Sequence, residues 1–263
     1  MGIIKLKAKQ AVKEIYHLFS RFIPDRHFPV SFPGGKIYLD FRESHRMLSR
    51  VAGLYEPLKR KAIHALLKKG QTFVDVGSNK GDYTLIGAKI VGDSGKVLSF
   101  EPEPSNVFWL NKSIDLNGYR NIILFDITLS DFNGTSTLFL SDQSDWHSLL
   151  NLEGVCNKGN TVIKVRTLDG ILDETNQAKV DMIKIDVEGA ELQVIKGAKE
   201  TLLNNESIII LLDVHPQRGI NPFEVADSLT ELGFNLYQMA PPYNLPLKVD
   251  GETRELIACR HSL

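Results

Sequence analysis

The chain has 263 residues, of which 43 % are hydrophobic and 24 % are charged, a composition typical of a globular protein with one large domain. The formal net charge of −1 argues against general electrostatic capture of a nucleic-acid backbone, so no nucleic-acid partner is expected. No apolar run approaches the roughly 20 residues of a membrane span, and lysines interrupt the apolar positions near the N-terminus, so neither a span nor a secretory signal is predicted. The two cysteines, Cys156 and Cys259, stand far apart, as is usual in a reducing compartment, and we expect a cytoplasmic protein.

The first predicted element is an amphipathic helix over residues 3–23. Apolar residues recur there at helical spacing, and lysines occupy much of the remaining surface. Two roles stay open for this helix: packing on the domain or on a second subunit in a homodimer, and peripheral contact with an anionic membrane surface. Residues 24–41 are rich in turn formers and predict a short hairpin that ends in KIYLDF. We assign residues 1–54 to a small helical and hairpin extension and residues 55–263 to the main domain.

The main domain begins with a helix over 55–70, and from there strands and helices alternate. Predicted strands cover 72–76, 96–100, 121–126, 134–141, 180–186 and 207–216, and a segment at 161–172 runs from strand into helix. Predicted helices cover 82–92, 105–118, 190–205 and 221–233, and an antiparallel pair at 234–239 and 254–260 closes the domain. Strands separated by helices pair in parallel through right-handed crossovers, so the fold class is α/β with an open, doubly wound sheet.

The turn after the first main-domain strand reads DVGSNKGDY. Gly77 and Gly81 let the backbone approach a ligand closely at the carboxyl edge of the sheet. The next strand ends in Glu101-Pro102, where Glu101 is well placed to accept both hydroxyls of a ribose. A dinucleotide prefers the spacing G-x-G-x-x-G, whereas here the spacing is G-x-x-x-G and Asp75 would repel a pyrophosphate. S-adenosylmethionine carries an ammonium and a sulfonium and no phosphate, so it is favoured over NAD.

Three blocks of the sequence resemble the FkbM-type methyltransferases. They are FVDVGSNKGDYTLIGAKIVGDSGKVLSFEPEP, LSDFNGTSTLFL and IKIDVEGAELQVIKGA, in that order and at suitable separations. The resemblance covers roughly residues 55–240. It implies a class I, Rossmann-like methyltransferase domain that uses S-adenosylmethionine, with a seven-stranded, mostly parallel sheet whose last strand is antiparallel. It also implies methylation of hydroxyl oxygens, often on sugars or glycosylated natural products.

The resemblance further implies where the cofactor binds. The loop from Asp75 to Gly81 would hold the methionine end, Glu101 the ribose, and Asp126 at the end of the third strand would lie near the adenine amine. The motif Tyr55-Glu56-Pro57 would contribute to a lid over the cofactor. The expected cofactor-binding set is therefore Glu56, Asp75, Gly77, Ser78, Asn79, Gly81, Tyr83, Glu101, Pro102 and Asp126.

Two neighbouring strand ends carry the expected catalytic residues. Asp186 and Glu188 follow one strand, and Asp213 and His215 end the next. An alcohol is a poor nucleophile at neutral pH, so its attack on a sulfonium methyl needs a base such as His215 or a polarising ion. Mg²⁺ held by Asp186 and Asp213 would supply the latter.

Each of these assignments has an alternative. Asp186 would instead bind the cofactor or pair with Lys184, since a buried carboxylate needs a partner, and His215 would be a structural histidine. Glu191 is explained by the dipole of the helix that it begins.

The long polar segment 141–160 interrupts the alternation, and loops of this length are often functional. In it, His147 is a second candidate base and Trp146 a candidate platform for a sugar ring. We therefore expect an O-methyltransferase acting on a hydroxyl of a sugar or glycosylated metabolite. A polyketide-type small molecule and a nucleic acid remain as alternative acceptors.

Overall fold

The structure is a computed structural model that describes residues 22, 26–42, 46–51, 54–141, 147–149 and 157–261. The predicted helix over 3–23 lies outside this part of the chain except for Phe22. Most of the 141–160 segment, including Trp146, also lies outside it.

The predicted N-terminal hairpin is confirmed. Strand β1 (Phe28–Phe32) pairs antiparallel with β2 (Gly35–Leu39), and helix α1 (Arg46–Val51) follows. The inward side chains Ile37 and Leu39 share a hydrophobic cluster with residues of the main domain. The extension therefore packs directly on the main domain, and the boundary at residue 54 stays a prediction.

The remaining strands and helices alternate along the main domain. The strands are β3 (Thr72–Val76), β4 (Lys96–Phe100), β5 (Ile122–Phe125), β6 (Thr128–Leu129), β7 (Gly134–Ser141), β8 (Asn157–Arg166), β9 (Met182–Ile185), β10 (Ile209–Asp213), β11 (Asn235–Tyr237) and β12 (Glu255–Cys259). The helices are α2 (Pro57–Leu66), α3 (Asp82–Val91), α4 (Pro104–Asn117), α5 (Leu168–Glu174), α6 (Glu191–Gly197), α7 (Lys199–Asn204) and α8 (Pro222–Glu231). The helix predicted over 190–205 is thus two helices that meet at Ala198.

Seven of these strands form the central sheet, in the order β11-β12-β10-β9-β3-β4-β5. Strands β10, β9, β3, β4 and β5 pair in parallel, and β12 runs antiparallel between β10 and β11. The strands in the middle are mostly apolar on both faces, and hydrophobic clusters cover both sides of the sheet. The predicted doubly wound α/β fold is confirmed, including the antiparallel strand.

The other three strands form a small separate sheet in the order β6-β8-β7. It follows β5 and carries the ends of the 141–160 segment. None of the described helices combines the length and apolar character needed to cross a bilayer.

Candidate active site

The main cavity lies at the carboxyl ends of the parallel strands and has a volume of about 670 Å³. That size suits a cofactor together with part of an acceptor. Most of the predicted site residues line it: Glu56, Gly77, Ser78, Asn79, Tyr83, Glu101, Pro102, His147, Asp186, Glu188, Asp213 and His215. The topology brings them together because the loops after parallel strands all leave the sheet at the same edge.

The loop after β3 is shaped by glycine. Gly77 has a φ of +74°, and a Cβ there would lie 1.9 Å from the backbone oxygen of Asp186. Gly81 has a φ of +92°, and its Cβ would meet the side chain of Leu110 at 2.2 Å. Gly77 is therefore required by the close approach of the loop after β9, and Gly81 by the packing of α4. The hydroxyl of Ser78 lies 2.6 Å from Ser99 Oγ, inside the fold.

Glu101 is held at the cavity wall by three donors. The backbone N–H of Asn79 donates to Oε2 at 2.7 Å, and that of Glu103 donates to Oε1 at 3.0 Å. Asn106 Nδ2 donates to Oε1 at 3.2 Å. Burial raises the pKa of Glu101, although these hydrogen bonds oppose the shift. The carboxylate is thus fixed in orientation beside the glycine loop, as a ribose ligand needs to be.

Asp75, which begins the loop expected to hold the cofactor's methionine end, does not itself reach the cavity. The Asp75 carboxylate is fully buried beneath the loop, accepts a hydrogen bond from Thr84 Oγ1 at 2.6 Å, and lies 3.3 Å from Lys184 Nζ. Lys184 in turn donates to the backbone oxygen of Gly77 at 2.8 Å. The ammonium that Asp75 attracts is therefore that of Lys184, and the pair supports the loop from below.

Asp126 also differs from its predicted role near the adenine. Its side chain is 70 % exposed and lies 3.8 Å from Lys164, off the cavity wall. Beyond β5 the chain buries Ile127 and lines the cavity with Thr128 and Leu129, so the acid is left on the solvent side.

The start of α2 forms another wall of the cavity. Glu56 precedes Pro57 with a φ of +42°, a left-handed conformation that is uncommon outside glycine. Its Oε2 accepts a hydrogen bond from Tyr83 Oη at 2.6 Å and lies 3.1 Å from Lys59 Nζ. The predicted lid residue Glu56 and the predicted Tyr83 are therefore in direct contact, and both reach the cavity together with Lys59.

Asp186 and Asp213, the predicted magnesium ligands, both contact lysine. Asp186 Oδ2 lies 3.7 Å from Lys59 Nζ and 3.8 Å from Lys184 Nζ, and Asp213 forms a direct ion pair with Lys59. Burial by itself would raise the pKa of Asp186, but Lys184 and Lys59 outweigh it and hold the pKa well below its usual range. Lys184, one of the candidate partners of Asp186, thus lies beside it, and Lys59 is a second lysine at a similar distance.

His215 lies close to three carboxylates. Its Nδ1 is 2.6 Å from Glu191 Oε1, and its Nε2 is 3.6 Å from Asp186 and 3.5 Å from Glu188. Arg218 binds Glu188 from the other side, with NH2 at 3.1 Å. Glu188 has a φ of +53°, and such strain in a non-glycine residue is often found at functional sites.

The charges around His215 set its protonation. Burial alone would lower the pKa of His215, but the hydrogen bond with Glu191 and the charges of Glu188 and Asp186 raise it to about 9. Burial raises the pKa of Glu188 to about 7, although His215 and Arg218 oppose the shift. At neutral pH the imidazole is therefore mostly protonated, and Glu188 is close to half-protonated.

His147 also lines the cavity. The backbone N–H of Ser141 donates to its Nδ1 at 3.1 Å, and the neighbouring Ser148 Oγ donates to the backbone oxygen of Glu188 at 2.7 Å. The 147–149 segment thus contacts the loop that carries Asp186 and Glu188, and the role of His147 as a base stays a prediction.

Several site residues were not expected from the sequence. Lys59 follows Glu56 by three positions, so both share one helix face, but their meeting with Asp213 depends on tertiary packing. Glu191 does stand in the first turn of α6, as the dipole interpretation requires, yet it is also fully buried and bound to His215. For Arg218 the sequence contains no signal beyond its nearness to His215.

Comparison with known proteins identifies the family. The family model described as the methyltransferase FkbM domain matches residues 75–236. The hexuronic acid methyltransferase AglP of Haloferax volcanii is 28 % identical over 157 residues, which cover 60 % of this chain and 60 % of that protein. The 2-O-methyltransferase NoeI of Sinorhizobium fredii is 26 % identical over 163 residues, which cover 57 % of this chain and 66 % of NoeI. The chain thus spans less than two thirds of the length of either relative.

A solved structure shares the fold. Methyltransferase FkbM from Methylobacillus flagellatus superposes with a TM-score of 0.50 at 14 % identity, over 84 % of this chain and 55 % of that one. Because the family model matches more than half of its residues, the chain belongs to the FkbM family of S-adenosylmethionine-dependent methyltransferases.

Proposed function

We propose that the protein transfers a methyl group from S-adenosylmethionine to a hydroxyl oxygen of a sugar or glycosylated metabolite. The observation that carries the proposal is the position of His215 Nε2 between Asp186 and Glu188, in the same cavity as Glu101 and the glycine loop. A proton acceptor and a cofactor cradle are thereby combined in one site.

The cavity has the chemistry that S-adenosylmethionine requires. Glu101 offers a fixed carboxylate for the ribose hydroxyls. Phe100, Leu129 and Leu138 form an apolar wall for the adenine ring. The Glu56 carboxylate and the Lys59 ammonium suit the ammonium and the carboxylate at the methionine end of the cofactor. These features support the cofactor that the family uses.

The chain's own residues have to remove the proton of the acceptor hydroxyl. When bound, S-adenosylmethionine supplies a sulfonium methyl, whose transfer forms a C–O bond, breaks the C–S bond, and leaves S-adenosylhomocysteine and one proton. His215 accepts that proton at Nε2 once it is neutral, and Glu191 orients the ring through Nδ1. Asp186 and Glu188 stabilise the imidazolium that results. The fraction of His215 in the base form rises as the pH approaches about 9.

The acceptor class is supported by the two relatives, since one is named a hexuronic acid methyltransferase and the other a 2-O-methyltransferase. A polyketide-type hydroxyl is the second candidate, and a nucleic acid the third. The net charge of −1 argues against nucleic acid. The cytoplasmic location, and homodimerisation or membrane contact through residues 3–23, also remain proposals.

The proposed function is tested by incubating the protein with S-adenosylmethionine carrying a ¹³C-methyl group and a set of acceptors. The set contains a methyl glucuronide, a neutral methyl glycoside, a phenolic small molecule and a transfer RNA. New O-methyl signals on a sugar, lost in His215→Asn and kept in the exposed-surface variant Glu200→Gln, are the expected result. If only the phenol or only the RNA is methylated, the proposed acceptor class is wrong. If His215→Asn methylates the sugar at the wild-type rate, His215 is not the base.

A further inference from the structure

The acidic cluster formed by Glu56, Asp186 and Asp213 surrounds an ammonium group. Lys59 Nζ lies 3.1 Å from Glu56 Oε2 and 3.7 Å from Asp186 Oδ2, and it pairs directly with Asp213. The lysine side chain is only 2 % exposed. The ammonium of Lys59 is thus enclosed by carboxylates from the residue before α2, the end of β10 and the loop after β9, while Lys184 approaches the Asp186 edge of the cluster at 3.8 Å.

The three carboxylates are grouped as the ligands of a metal ion would be. One oxygen from each lies within 4.8 Å of the others. A divalent ion with oxygen ligands at about 2.0–2.6 Å would need the space that Lys59 Nζ occupies, and two positive centres in one buried cluster would repel each other strongly. The predicted pair Asp186 and Asp213 therefore does not fit Mg²⁺ while Lys59 is charged.

Lys59 is held in this position from several sides. It lies in the first turn of α2, three residues after Glu56, so the helix start aims it into the cavity. Its ammonium also lies 5.5 Å from the centre of the Tyr83 ring, over its face. The Tyr83 hydroxyl binds Glu56 in turn. Moving the lysine out would break these contacts and leave buried carboxylates without their counter-charge.

We propose that Lys59 is the resident cation of the Glu56–Asp186–Asp213 cluster and positions its carboxylates, in place of a divalent metal ion. Two consequences follow from the geometry. The wild-type cluster has no affinity of its own for Mg²⁺ or Mn²⁺, and it becomes a divalent-cation site when the charge at position 59 is removed.

A second group has metal-like spacing but different partners; it consists of Asp186, Glu188 and His215. Arg218 binds Glu188, and Glu191 binds His215 Nδ1, so two of its members already have charged or hydrogen-bonded partners. The variant Asp213→Asn separates the two groups, because Asp213 belongs only to the cluster around Lys59, whereas Asp186 belongs to both.

The test is a titration with Mn²⁺ alone, followed by its electron paramagnetic resonance signal and by calorimetry. The proteins are wild type, Lys59→Met, Lys59→Arg and the control Lys61→Met, which removes an exposed lysine from the same helix. Lys59→Met is expected to bind one Mn²⁺ at least about tenfold more tightly than wild type, Lys59→Arg and Lys61→Met, since only it has both the carboxylates and an empty centre. Adding Asp213→Asn to Lys59→Met should abolish that gain.

Folding of Lys59→Met is checked in the same experiment. If the unpaired carboxylates unfold it, the proposal requires that Mn²⁺ or the second substitution Asp213→Asn restores folding, measured by circular dichroism and thermal melting. Tight Mn²⁺ binding by wild type that Asp213→Asn removes would overturn the proposal. A folded Lys59→Met that binds Mn²⁺ no better than wild type would overturn it as well.

The catalytic consequence rests on the proposed function: methyl transfer by wild type should persist in excess EDTA. Because the Mn²⁺ titration does not use activity, a failure to find an acceptor leaves this inference intact. Metal binding by wild type, in contrast, would refute the inference and leave the methyl transfer in place.

Discussion

The Nδ1 atom of His215 lies 2.6 Å from Oε1 of Glu191, and the same oxygen accepts the backbone N–H of Gly189 at 3.0 Å. Glu191 is fully buried, so this contact fixes which ring nitrogen of His215 faces the cavity. The start of α6 and the loop after β10 are thus joined at the point where the proposed proton transfer takes place.

The first prediction concerns the pH dependence of Glu191→Gln. Glu191 raises the pKa of His215, so its loss should lower that pKa toward the ordinary value. The base form then appears at lower pH, and the alkaline rise of kcat/KM should shift in that direction while the maximal kcat falls about tenfold or more. A pH profile of methyl transfer measures both, with Glu200→Gln as the control. An unchanged profile with reduced stability would mean that Glu191 is only structural.

The second prediction concerns cofactor binding by Glu101→Gln. A neutral amide accepts hydrogen bonds more weakly than a carboxylate, so calorimetry should show S-adenosylhomocysteine binding weakened about tenfold or more. Glu200→Gln is the control, because Glu200 is an exposed acid that does not line the cavity. Equal affinities of wild type and Glu101→Gln would exclude Glu101 as a ribose ligand.

The third prediction separates steric clash from backbone strain in the glycine loop. Gly77 and Gly118 both have positive φ, but a Cβ would meet the Asp186 backbone at Gly77 and open space at Gly118. We expect Gly118→Ala to lower the free energy of unfolding by about 1 kcal/mol and Gly77→Ala by about 3 kcal/mol or more. Urea unfolding of the two variants gives the comparison. Equal losses of unfolding free energy would show that the loop after β9 moves easily to make room for the added methyl group.

The fourth prediction concerns the buried ion pairs that connect the N-terminal extension to α3. Asp82 pairs directly with Arg50 and lies 3.1 Å from Arg60 NH2, and all three side chains are almost fully buried. Asp82→Asn leaves two buried guanidinium groups without this charge, so it should cost about 3–5 kcal/mol of unfolding free energy. The exposed acid Asp115, changed to Asn, is the control and should cost almost nothing in the same urea titration. A small loss in Asp82→Asn would indicate that water reaches the two arginines.

Residues at strand ends were the most predictable part of the site. Glu101, Asp186 and His215 each follow a short apolar strand, and parallel strands bring such positions to one edge whatever the details of packing. The alternation of strands and helices likewise predicted a parallel sheet, because a helix between two strands lets the second strand run in the same direction as the first. Asp126, which the family resemblance placed near the adenine, lies on the solvent side instead, because the chain beyond β5 turns its side chain outward.

Contacts between distant elements were less predictable. Lys59 comes from a helix that precedes the whole sheet, and its place among the acids depends on how that helix docks. Asp75 stands just before the loop, but Lys184 of β9, the strand that pairs with β3, neutralises it from beneath. Hydrophobic periodicity contains no information on such pairings, since both partners of each pair are polar residues in otherwise apolar surroundings.

The antiparallel strand in the sheet bears on the order in which the site is assembled during synthesis. The glycine loop and Glu101 depend on β3 and β4, which emerge from the ribosome early. Strand β10, which leads to His215, is enclosed only when β12 has paired with it, and β12 is the last described strand along the chain. A nascent chain would thus complete the strand pairs beneath its cofactor loop before it could fix its base. Binding of the cofactor and competence for transfer would then be acquired at different moments of translation.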